Sequence, residues 1–152
     1  MIVDQTSHGI PVHFDKHAFG ADHVVVAGRV KPHTNFYGDI ESGLMKMMLI
    51  GLGKHEGAIV YHRAFADFSF DQIVRSVGRR VIERGRILAG LGIVENACDE
   101  TGLIRAVLPQ ELEAQDKELL AVARRWLPRL PFDHADLLLV DEIGKEISGC
   151  GM

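Results

Sequence analysis

Residues 23–32, HVVVAGRVKP, decide how the chain is read. Three consecutive valines within an eight-residue run, 23–30, have the β-branched, nearly uncharged composition of a strand buried on both faces. Lys31-Pro32 ends it, because proline cannot donate to a ladder and constrains the residue before it. The loop that follows therefore leaves the carboxyl end of a strand, which is where ligands collect in an open α/β sheet.

Working outward, residues 10–14 form a second β-rich run, and DKHAFGA between the two is long enough only for a turn or two of helix. From Glu41 to Ile50 the pattern is helical. Gly51 and Gly53 break it, and it resumes from Lys54 to Ala64. Between Phe70 and Glu83, Phe70, Ile73, Val74, Val77 and Val81 recur at the spacing of one buried helical face. Asp67 and Ser69 are candidate caps, and Gly85 closes the helix. Residues 86–94 and 103–108 read as strands. Pro109 opens a helix to Trp126 with Leu112, Leu119, Leu120, Ala123 and Leu127 on its apolar side, and Pro128 and Pro131 stop it. Residues 137–140, LLLV, read as a further strand running into a glycine-rich end. Strands alternating with helices predict an α/β layered sandwich with a largely parallel sheet and helices on its faces. Residues 1–152 are read as one such domain, or as a fragment of a larger two-domain protein, because the chain stops just as a glycine-rich loop leaves a strand.

Composition removes several function classes. A net charge of −4 over 152 residues leaves no basic footprint for nucleic acid. The longest uncharged apolar run, 87–94, falls far short of the roughly 20 residues that span a bilayer. The amino end has no basic flank followed by an apolar run, so it is not read as a secretory signal. Two cysteines, Cys98 and Cys150, point to free thiols and a reducing cytoplasm.

Chemistry concentrates in residues 31–62. His33 follows a strand and a proline, and an imidazole there can serve as general acid and base; the plain alternative is a solvated loop histidine. Lys46 lies inside SGLMKMMLIG, where desolvation would make its amine nucleophilic enough for covalent attachment to a cofactor; otherwise it snorkels at a helix surface. His62 follows sixteen residues after Lys46, and neutral imidazole is a common metal ligand. GLGKHEG is not a Walker loop, since Met48 and His55 stand where glycine and Ser or Thr are required. There is no HExxH, CxxC or GxSxG.

Taken together, Pro32-His33, Ser42-Gly43 with Lys46 three residues on, the Gly51 turn and His62 resemble the nickel-dependent lactate racemase family. The flanks IPVHFDKHAFGADHVVVAGRV and LLLVDEIGKEISGCGM are similar to the broader superfamily, and the resemblance covers the central part of such a protein. It implies a nickel pincer nucleotide, a pyridinium mononucleotide with thioamide and thiocarboxylate groups. Lys46 would tether it, Ser42 and Gly43 would line its site, His62 would be the protein ligand to nickel, and His33 would be one of two catalytic bases. The implied activity is that of an isomerase, a racemase or epimerase acting on a 2-hydroxy acid or sugar-like relative: a histidine takes the hydroxyl proton while hydride passes to the cofactor. Leu44-Met45 and Ile50 stand where the lactate racemases have Gly-Arg and proline, so lactate itself is not implied. Because half the site would lie outside these residues, the isolated chain is expected to be inactive. Two other readings compete: a non-catalytic α/β domain that binds a small anion or protein partner through its glycine-rich loops, and a simple metal domain using His55, His62 and Glu56.

Overall fold

The valine-rich run becomes β3, Val24–Arg29, and its neighbours build the sheet around it. A computed structural model describes residues 1–33 and 37–142 of the chain. β3 pairs in parallel with β4, Ile87–Glu95, and β4 pairs antiparallel with β5, Thr101–Val107. The α/β class holds, and the three-stranded sheet is mixed rather than largely parallel. Connection length explains this. Only residues 96–100 join β4 to β5, closed where Asn96 Oδ1 accepts the amides of Cys98 and Glu100, and a parallel crossover needs a dozen or more residues. A separate two-stranded antiparallel sheet joins β1, Ile2–Gln5, to β2, Pro11–His13.

One turn of helix, α1 (Lys16–Phe19), follows β2, started by Asp15, whose carboxylate accepts the amides of His17 and Ala18. After β3, helix runs from α2, Leu44–Lys46, through a π-turn at Met47–Gly51 into the first residues of α3, Leu52–Ala64. A kink at Lys54, whose φ of 55° and ψ of −157° are not helical, then divides α3, so the break expected around Gly51 and Gly53, with a new helical stretch after it, is present. α4, Phe70–Arg84, carries the expected apolar face, with Ile73, Val74, Val77 and Val81 fully buried. Ser69 and Gln72 start it with a reciprocal capping box. A turn of 3₁₀-helix at Pro109–Glu111 leads into α5, Leu112–Trp126. Arg75 on α4 pairs with Asp71 and with Glu113, tying α4 to α5.

The helices cover one face of the sheet. On the opposite face Val25 and Ile104 are 52% and 61% exposed, so β3 is buried on one face and not on both, and no helix among the described residues packs there. Leu137 to Val140 is not a strand: it pairs with no ladder among the described residues, and Leu139 is 80% exposed. Apolar composition alone makes a run look like a strand, but a strand exists only where a neighbour accepts its hydrogen bonds. The glycine-rich end at 144–152, with Cys150, lies outside the described residues. Among the described residues no helix is long and apolar enough to cross a membrane.

Glycines let the helices close on the sheet. A Cβ on Gly90 would stand 2.6 Å from Leu112 Cδ2 and 2.7 Å from Leu44 Cδ1, both belonging to fully buried side chains. Gly90→Ala is therefore expected to lower the denaturation free energy by about 1–3 kcal/mol through overpacking. A neutral result in chemical denaturation would show that α2 and α5 can give way.

Candidate functional site

The segment between β3 and α3 is held by two buried carboxylates that belong to no apolar core. Asp116 is 1% exposed. It projects from α5, and its Oδ1 and Oδ2 accept the amides of Leu44 and Met45 at 3.0 and 2.7 Å. These are orphan donors at the start of a helix, and the residue that would ordinarily cap them is Gly43, which has no side chain. Gly43 is required here: its φ is +99°, and a Cβ would lie 2.6 Å from Asp116 Oδ1 and 2.9 Å from Val30 Cγ2. Burial pushes the Asp116 carboxyl up to about 6, against the lowering effect of the Met45 and Leu44 amides.

Glu41 is the second clamp, also 1% exposed. Its carboxylate accepts the amides of His33 and Gly38 at 2.9 and 3.0 Å and the Arg124 guanidinium at 2.6 Å. Burial acts to raise its pKa, but the hydrogen bonds from His33, Gly38 and Arg124 outweigh burial and hold it below the ordinary value. Ser42 closes the base of the same loop. Its hydroxyl accepts the Lys31 amide at 2.8 Å and donates to the Lys31 carbonyl at 2.5 Å.

A cavity of about 280 Å³ opens beside the carboxyl end of β3, walled by Gly28, Ser42, Gly43, Lys46, Met47 and Gly51. The π-turn shapes this wall by folding Met47 over Gly51, where a Cβ would meet the Met47 sulfur at 1.9 Å. Three of the expected site residues, Ser42, Gly43 and Lys46, thus face one space. The Lys46 ammonium also lies 5.9 Å from the centre of the Phe70 ring, within cation–π range.

His33 belongs to the same locality. Partial burial lowers its pKa first, the positive charge of Lys46 lowers it further, and Glu41 acts in the opposite sense. His62 is exposed on α3. Its ring meets Phe65 edge-on at 5.3 Å, Phe65 lies 6.1 Å from Phe70, and Phe70 carries Lys46. The charge of Lys46 thus reaches His33, while a run of ring contacts leads from His62 through Phe65 and Phe70 to Lys46.

Among the described residues no group of three or more His, Cys, Asp and Glu is placed to hold a metal ion. His55, His62 and Glu56 therefore do not form the joint centre a simple metal domain would need. Sequence reasoning missed Asp116 and Glu41. Asp116 left a readable signal: it stands four residues after Leu112 and three before Leu119, within the apolar stripe of α5, where an acid demands a partner. Glu41 left none. No protein-family model matches the chain, and no curated protein matches it.

Two measurements follow. Because the folded state holds the Asp116 proton more tightly than the unfolded chain, this residue's contribution to stability is lost as pH rises from about 4 to about 6. The stability margin of wild type over Asp116→Asn should shrink by about 3 kcal/mol across that window. A margin independent of pH would show that Asp116 does not titrate there. Second, Lys46→Met should raise the His33 pKa, followed by NMR of the imidazole Cε1 proton; an unchanged titration would separate the two residues.

Proposed function

We propose that this chain carries part of the site of a nickel-pincer-nucleotide-dependent racemase or epimerase acting on a 2-hydroxy acid or sugar-like relative. The observation that carries the reading is one cavity walled by glycines and Lys46, with His33 close enough to feel the Lys46 charge. Gly28, Gly43 and Gly51 form part of the wall, with the Met47 side chain lying over Gly51. The residues fit a pincer nucleotide. Lys46 would hold it covalently, and His62 would offer one imidazole to a metal that arrives with donors of its own, so a multi-residue protein cluster is not needed. When bound, such a cofactor supplies the hydride acceptor.

The remaining chemistry falls to the chain. Burial and Lys46 both favour neutral His33, so its imidazole can accept a hydroxyl proton at a lower pH than an ordinary histidine. Glu41 fixes the His33 backbone through the amide. Met47 and Ile50 give the cavity an apolar side that limits water. An exposed free Cys98 favours a reducing cytoplasm as the setting.

Mass spectrometry of the full-length protein, produced together with pincer-nucleotide synthesis enzymes and nickel, should find a covalent adduct on Lys46 that Lys46→Arg lacks. An unmodified Lys46 under those conditions would overturn the reading and favour a non-catalytic anion-binding domain.

A further inference from the structure

We propose that the free edge of β3 is an interaction surface for a second copy of this chain, whose residues 137–140 add to it as a parallel strand. Among the described residues β3 pairs only with β4, so it forms one edge of the sheet. From Val24 to Gly28 neither proline nor charge interrupts it, and a valine-rich edge of this kind is a template for another strand. The uncovered face beside it is apolar, with Val25 and Ala27 exposed on β3 and Ile104 and Ala106 on β5.

The chain carries the complementary piece itself. Leu137 to Val140 are each more than half exposed and join no ladder among the described residues. Leu127 leaves α5 with a ψ of 134°, the extended backbone that Pro128 imposes, and Pro131 stiffens the connection further. Residues 127–136 can thus span about 33 Å, enough to reach a neighbouring molecule. Charge selects the direction. A parallel strand brings Asp141 and Glu142 to Arg29 and Lys31 at the carboxyl end of β3, whereas an antiparallel one would bring them to Asp22. Set against residues 25–28, the segment places Leu137 and Leu139 on the open face beside Val25 and Ala27. Area selects the occupant. Three strands of about six residues offer a face of about 300 Å², well below the roughly 800 Å² per partner of a stable interface. Two open faces packed together would fall short, and reciprocal exchange of two such segments adds buried surface on both chains.

Sedimentation velocity of the 152-residue chain over a dilution series should show a concentration-dependent dimer. Leu139→Asp and Val25→Lys, both at exposed positions, should each weaken it by about tenfold or more, and Leu139→Val should keep it. Leu137→Asp is the second tail variant, and circular dichroism confirms that each protein is folded. Mixing the Leu139→Asp and Val25→Lys proteins should restore association, because the intact tail of one meets the intact β3 edge of the other. A dimer indifferent to both tail variants, no rescue on mixing, or a chain monomeric throughout would overturn the proposal. So would slow amide exchange at residues 138–140 in a monomer, which would place the segment on its own sheet.

Discussion

The Asp116 carboxylate is the constraint on which the site depends. It lies 72 residues along the chain from Leu44, yet it supplies the cap that the helix carrying Lys46 cannot supply for itself. Gly43 has no side chain and must have none, because its backbone turns through a positive φ against Asp116 and Val30. Helix start, glycine and buried acid are therefore one unit: an alanine at 43 would meet the acid, and loss of the acid would leave two buried amides without acceptors. Fixing α2 in this way also fixes where Lys46 leaves the backbone.

Around that unit the fold places two kinds of surface side by side. Glu41 binds His33, Gly38 and Arg124, so the loop after β3 is tied to α5 by charge and backbone amides. On the other side of Lys46 the π-turn folds Met47 over Gly51, which gives the cavity an apolar wall. The buried acids are costly and fully partnered: among the described residues no buried side-chain nitrogen or oxygen lacks a hydrogen bond.

Much of the fold was legible because periodicity reports burial. β3, β4, β5, α4 and α5 all stand where valine runs, alternation or a helical stripe put them. What failed had a physical cause in each case. β1 has only four residues, IVDQ, too few for a pattern. The sheet direction was set by a short turn at 96–100, not by strand composition. LLLV at 137–140 has the composition of a strand and no partner among the described residues. At the candidate site, glycines and a lysine in an apolar context marked the segment that lines the Lys46 cavity, because those residue types are costly there without a reason. Their supports were harder to see: Glu41 and Asp116 act through backbone amides, and an amide leaves no mark in a sequence.

Amide hydrogen exchange at Leu44 and Met45 tests the account most directly. In the wild type at neutral pH both amides should be strongly protected. Asp116→Asn should speed their exchange selectively while Val77 and Val81 in α4 stay protected. Equal protection of Leu44 and Met45 in the two proteins would contradict the claim that this buried carboxylate holds the site.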